Sequence, residues 1–106
     1  MEQPRVGILL DQHLYAVMTK RKSSLERISF YEEAAQLLEI SLCYFRLRDI
    51  DFNKCKIRGL VLNKDGKFSE EVLPIPEVIH NRGLFISKSA KEKMSQLQKK
   101  GCAIFN

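Results

Sequence analysis

The residues of this chain best suited to chemistry close a single run, Leu73-Pro-Ile-Pro-Glu-Val-Ile-His-Asn-Arg82. Two prolines stiffen the approach to a short apolar segment, Val78-Ile79, which delivers three hydrogen-bonding side chains, His80, Asn81 and Arg82. Arg82 offers a planar fork that suits a carboxylate or phosphate, and Asn81 can orient a substrate amide or carboxylate. Polar groups at the carboxyl end of a buried strand lie where open α/β sheets place their ligands. Asp11 and His13 follow the first strand-like run, Arg5-Val-Gly-Ile-Leu-Leu10. They line the same crevice if the two strands run parallel. Each residue also has a plainer reading. Arg82 can pair with Glu77 or Asp49, Asn81 can tie down its own loop, His13 can be a solvated loop residue, and His80 can pack within its strand.

Other chemistries find little support. Glu70 and Glu71 are adjacent on a strand and so point to opposite faces, which is no catalytic carboxylate pair. Cys43, Cys55 and Cys102 are odd in number, widely separated and without a CxxC, so neither a disulfide framework nor a zinc site is indicated. Cys43 and Cys102 sit in apolar runs and read as reduced core thiols. There is no GxxxxGK[ST] and no GxGxxG, hence no phosphate cradle of those kinds. The triplet Lys20-Arg21-Lys22 ahead of a helix start reads as a solvated charge run, with anion binding at the helix start as the sharper alternative. The lysines of the last helix (Lys88, Lys91, Lys93, Lys99, Lys100) are spread around it without aromatic interleaving, which does not point to specific nucleic-acid binding.

The elements that would position these residues follow from periodicity and caps. Arg5 to Leu10 is continuously apolar after its first residue, as in a strand buried on both faces. Asp11 to Ser24 reads as a polar connection. Two capping boxes, Ser23 with Glu26 and Ser29 with Glu32, compete for the start of the next helix, and Ser29 is favoured. Phe30, Ala34, Leu37 and Leu38 form its expected buried stripe. Ser41 to Phe45 is a second strand. Ile57 to Leu62 and Lys67 to Leu73 flank Asn63-Lys-Asp-Gly66, a hairpin signal. Ser89 with Glu92 caps a helix whose stripe is Ala90, Met94 and Leu97, ended by Lys99-Lys100-Gly101. Cys102 to Asn106 is the last strand. The expected fold is α/β, a mixed, partly parallel sheet with flanking helices.

The chain has 106 residues, 44% of them hydrophobic and 29% charged. That fits one domain over residues 1–106 that is neither disordered nor membrane-embedded. No apolar run approaches the ~20 residues that span a bilayer, and Met1-Glu-Gln-Pro-Arg5 lacks a signal peptide's apolar region. The expectation is a protein that is not secreted. The net charge of +5 permits polyanion binding without showing it.

The order and spelling of these motifs resemble the N-terminal part of the endospore coat-associated, YheC/YheD-type ATP-grasp proteins of spore-forming bacteria. The matching elements are the opening Gly7-Ile-Leu9, a strand ending in Phe45 followed by Asp49-Ile50, a strand containing Gly59, the run Pro74 to Arg82, and the closing Phe105-Asn106. The family's Pro-x-Pro-Asp-Val-Val-Tyr-Asn-Arg becomes Pro74-Ile-Pro-Glu-Val-Ile-His-Asn-Arg82, with Glu77 for Asp and His80 for Tyr. Upstream, Leu47 replaces a Pro and Glu39 a helix-ending Gly. The resemblance implies a Rossmann-like pre-ATP-grasp domain, not catalytic on its own. It would contribute Asn81, Arg82, Asp11 and His13 to the acceptor-substrate site of a carboxylate–amine ligase-like protein. ATP and magnesium would belong to an ATP-grasp domain following residue 106, with no cofactor or metal in this chain. That domain, or spore coat proteins, would be its partner, in the cytoplasm or the coat. The competing expectation is a free-standing assembly module of the spore coat.

Overall fold

The computed structural model describes residues 4–20 and 23–106, with the side chains of all of these except 20 and 23–27. Among the described residues seven strands and three helices follow in the order β1 (Arg5–Leu9), α1 (Gln12–Lys20), α2 (Ser23–Leu38), β2 (Ser41–Phe45), β3 (Ile50–Asp51), β4 (Lys56–Leu62), β5 (Phe68–Pro74), β6 (Val78–Asn81), α3 (Lys88–Lys99) and β7 (Ala103–Phe105). A single 3-10 turn, Leu47–Asp49, links β2 to β3.

One mixed sheet results. β2, β1, β6 and β7 lie side by side and parallel, with Gly7 of β1 opposite Cys43 on one flank and Ile79 on the other. β4 runs antiparallel to β2 through Tyr44 and Leu60, and its Ile57 end pairs with the short β3. Its opposite edge pairs along the whole length of β5, from Lys56–Pro74 to Leu62–Phe68. The hairpin between them closes as the Asn63-Lys-Asp-Gly signal demands. The Gly66 N–H donates to the Asn63 carbonyl at 3.0 Å, and Gly66 takes φ +81°, which a side chain resists.

Alternation along the strands divides the core in two. On one face Ile8, Leu10, Leu42, Tyr44 and Leu60 pack under Met18 of α1 and Ile28 and Ala35 of α2. On the other, Leu9, Cys43, Phe45, Ile57, Leu73 and Ile79 pack under Leu97 of α3. Helices on both faces explain why β2 reads as continuous apolar sequence rather than alternation. The expected mixed α/β sheet with flanking helices is what forms.

Four local expectations are corrected. The polar connection from Asp11 to Ser24 is mostly helix: Asp11 Oδ1 accepts the Leu14 N–H at 2.8 Å as an N-cap, and Leu14, Tyr15 and Met18 face the sheet at helical spacing. α2 starts at Ser23 rather than Ser29, a turn and a half earlier, which lets Ile28 reach the core. Its expected buried stripe lies outside: Phe30 is 72% exposed, Leu37 86% and Leu38 69%, and Ala34 is exposed with them. Ile28, Tyr31 and Ala35 are the face that packs. The cap of α3 is Ser87, whose Oγ accepts the Ala90 N–H at 3.1 Å, two residues before the Ser89 box. The end of α3 follows expectation. The Cys102 N–H reaches the Leu97 carbonyl at 3.1 Å and the Gly101 N–H the Gln98 carbonyl at 3.0 Å, with Gly101 at φ +100°.

Candidate functional site

β1 and β6 are the parallel neighbours from which the chain departs in opposite directions. After β1 it goes through α1 and α2 to β2 on one flank, and after β6 through α3 to β7 on the other. The carboxyl ends of such a pair flank a crevice that neither connection fills, the general ligand position of open α/β sheets. The residues following these strands are Leu10-Asp11 and Arg82-Gly83.

Asp11 holds the crevice together. While Oδ1 caps α1, Oδ2 accepts the Leu84 N–H at 3.1 Å, so one carboxylate ties the end of β1 to the loop after β6. The approach is close: a Cβ on Gly83 would lie 2.9 Å from the Asp11 nitrogen and 2.5 Å from the Phe85 ring. The Arg82 N–H donates to the Leu9 carbonyl at 2.9 Å and extends the strand pairing one step. Asn81 is engaged structurally. Its Oδ1 accepts the Gly83 N–H at 3.0 Å and its Nδ2 donates to Asn106 Oδ1 at 3.1 Å. The side chain of Arg82 is exposed and makes no hydrogen bond or ion pair among the described residues. Asp49, one of its expected partners, is taken by Arg46.

The structure therefore brings Asp11, Asn81 and Arg82 to one edge of the sheet, and leaves His13 exposed in the first turn of α1 without a contact to them among the described residues. His80 points elsewhere. It belongs to β6 opposite Ile8 and packs against Tyr31 at 6.1 Å and Phe105 at 4.8 Å between ring centroids. Its Nδ1 is buried without a hydrogen-bond partner. Burial, with a smaller push from the Arg82 charge, holds its pKa below the usual histidine value.

Next to Asp11 the crevice continues as a cleft of about 230 Å³ over Leu10, Leu47 and Phe85, bounded by Gln12, Arg46, Arg48, Ser87 and Lys93. Arg46 is committed: Nε and Nη2 donate to Asp49 Oδ2 and Oδ1, each at 2.9 Å, Nη1 donates to Gln12 Oε1 at 2.9 Å, and the guanidinium lies 3.9 Å over the Tyr15 ring. Arg48 and Lys93, on the rim, make no ion pair or side-chain hydrogen bond among the described residues. The amino ends of α1 and α3 also open here, through Gln12 and Ser87, and their dipoles favour negative charge. The cleft is thus suited to an anionic group. Sequence reasoning missed Arg46, Arg48 and Lys93. A signal existed for the first two: Arg46-Leu-Arg48 directly follows β2, and residues following parallel neighbouring strands land on one edge.

The remaining candidates are quickly placed. Lys20 ends α1, while Arg21 and Lys22 lie outside the described residues. Burial pushes the Cys43 thiol up to about 12 and raises that of Cys102. Both fit reduced, inert thiols. Cys55 is exposed at φ +56° and accepts a contact from Lys100 Nζ at 3.4 Å. Among the described residues no group of three His, Cys, Asp or Glu side chains could hold a metal, and no helix is long and apolar enough to cross a membrane. In comparisons with known proteins, no family model matches the chain and no curated protein matches it.

Proposed function

We propose that the chain is a Rossmann-like, substrate-side domain of a spore coat-associated ATP-grasp protein of the carboxylate–amine ligase type, itself without catalytic machinery. One observation carries the reading: Arg82, the last residue of the Pro74–Arg82 run, lies free and exposed at the carboxyl end of β6, beside the end of β1. A free guanidinium at that edge is matched to the carboxylate of an acceptor substrate, and Arg48 and Lys93 line the cleft that continues from Asp11. Asp11 and Asn81 act as positioning residues for the loops on either side, and His13 contributes from the first turn of α1. The acyl transfer itself, with ATP and magnesium, would take place in an ATP-grasp domain joined to or docked on this one.

The test is steady-state kinetics of the whole protein. Arg82→Ala is expected to raise KM for the acceptor roughly tenfold, the equivalent of about 1.4 kcal/mol, and to leave KM for ATP unchanged. Asn81→Ala is expected to have a smaller effect of the same kind. Unaltered acceptor kinetics in both variants would overturn the assignment.

The second reading, an assembly module of the spore coat, draws on the exposed Phe30, Leu37 and Leu38 of α2. Clusters of large exposed apolar side chains mark interaction surfaces more often than chance. Under that reading, substitutions on α2 alter assembly, and substitutions at Arg82 do not.

A further inference from the structure

Arg48 lines a second groove as well, of about 370 Å³, which opens over β3, β4 and β5. Its floor is sheet. Ile57 of β4 is buried on the α3 side, so its neighbours Lys56 and Arg58 stand on the other face. Further along that face Leu60 and Phe68 join the core under α1 and α2. Lys56, Arg58 and Val72 do not: all three are exposed, Val72 at 70%. The strands run on past the cover that the helices give them, and the uncovered part carries charge.

That charge is unbalanced. Four cations, Arg48, Lys54, Lys56 and Arg58, line the groove against two carboxylates, Asp49 and Asp51. Asp49 is taken by Arg46 at 2.9 Å. Asp51 Oδ1 accepts the N–H groups of Asn53 and Lys54 at 3.0 and 3.1 Å. Arg58 pairs with Glu70 at 3.0 Å, in the open. Arg48, Lys54 and Lys56 make no ion pair or side-chain hydrogen bond among the described residues. All are solvent-exposed, so a partner reaches them without moving the fold.

We propose that this uncovered sheet face docks an extended acidic segment of another protein, with glutamates on alternate residues. Charge complementarity names the occupant. An extended chain repeats its side chains on one side every two residues, roughly 6.8 Å, and the same repeat sets Lys56 apart from Arg58 on β4. Two successive glutamates of such a segment meet these two, and a third reaches Lys54 or Arg48. Val72, opposite Arg58 in register, offers its methyl groups to the glutamyl methylenes. Phosphates carry the same sign of charge. Surfaces for single-stranded nucleic acid, however, join cations to stacking aromatic side chains, and no aromatic residue lines this groove among the described residues. The docking face is separate from Arg82 and does not rest on the function assigned there.

The chain is titrated by two-dimensional amide NMR with acetyl-Glu-Ser-Glu-Ser-Glu-amide, its neutral counterpart acetyl-Gln-Ser-Gln-Ser-Gln-amide, and a hexamer of thymidylate. The expected result is saturable shifts at the amides of Lys54, Lys56, Arg58 and Val72 with the acidic peptide, at least tenfold tighter than with the neutral one. The double variant Lys54→Glu, Lys56→Glu is expected to lose that binding while keeping the parent's melting temperature within a few degrees. The comparison of acidic with neutral peptide on the unaltered chain needs no variant to fold. Equal binding of the two peptides would overturn the proposal, as would no saturable shift or shifts confined to the lysines of α3. Tighter binding of the oligonucleotide at these amides would overturn it in favour of a nucleic acid.

Discussion

Glu39 terminates α2 in the left-handed region, at φ +56°. The Ile40 N–H reaches back to the Ala35 carbonyl at 2.9 Å and the Glu39 N–H to the Gln36 carbonyl at 3.3 Å, the pairing that usually places glycine here. Left-handed backbone costs a residue with a Cβ roughly 1–2 kcal/mol, against about 0.5–1 kcal/mol of extra chain entropy for glycine. Glu39→Gly is therefore expected to stabilise the fold by up to about 1 kcal/mol, read from the denaturation midpoint. His80 gives a second residue-scale expectation. Its folded pKa lies below the unfolded value of 6.5, so the unfolded chain binds more protons in the window just below 6.5. The stability it permits is complete above pH 6.5 and is lost as pH falls from there through the folded pKa. Glu32, raised by burial, has the opposite sign: its contribution is present at low pH and lost as pH rises through its folded value. His80→Phe isolates the histidine. Its melting temperature is expected to gain on the parent between pH 7.5 and 5.5, and a constant difference would show that His80 does not titrate against folding.

α2 shows what an element's sequence leaves open. It carries apolar residues on two sides, Phe30, Ala34, Leu37 and Leu38 on one and Ile28, Tyr31 and Ala35 on the other, and helical periodicity suits both. The sheet accepts the second set, where Tyr31 can meet His80 and the neighbouring Glu32 accepts from the Tyr44 hydroxyl at 3.1 Å. Ile28→Ala is accordingly expected to cost about 2–4 kcal/mol in chemical denaturation, and Leu37→Glu less than ~0.5 kcal/mol. The reverse ranking would mean that the first stripe is the buried one. α1 is written in the sequence. Asp11 followed by Leu14, Tyr15 and Met18 is a cap followed by helical spacing, obscured by the polar residues between them.

Across the whole molecule, the two cores meet the sheet from opposite sides and leave little slack. Gly7, in the central strand, is where the α3 side closes: a Cβ there would lie 2.7 Å from Phe45 Cε1 and 2.8 Å from Pro76 Cγ. Gly7→Ala is expected to destabilise by about 1–3 kcal/mol through overpacking, with unchanged secondary structure by circular dichroism. It also displaces Pro76, at the amino end of β6 rather than at the carboxyl-end crevice.

The amino-acid sequence by itself determined the local devices: the Asn63–Gly66 turn, the glycine end of α3, the apolar strands, and the polar cluster that closes the Pro74–Arg82 run. Each depends on groups within a few residues of one another, so composition and spacing suffice. Only the tertiary structure decided that β6 lies against β1. That pairing brings Asp11 to the loop after Arg82 and sets His80 between Tyr31 and Phe105. It also decided which stripe of α2 is covered, and that Arg48 and Lys93 share a cleft. These facts rest on contacts between residues tens of positions apart, and a repeating pattern of apolar residues states that a face must be buried without naming what will bury it.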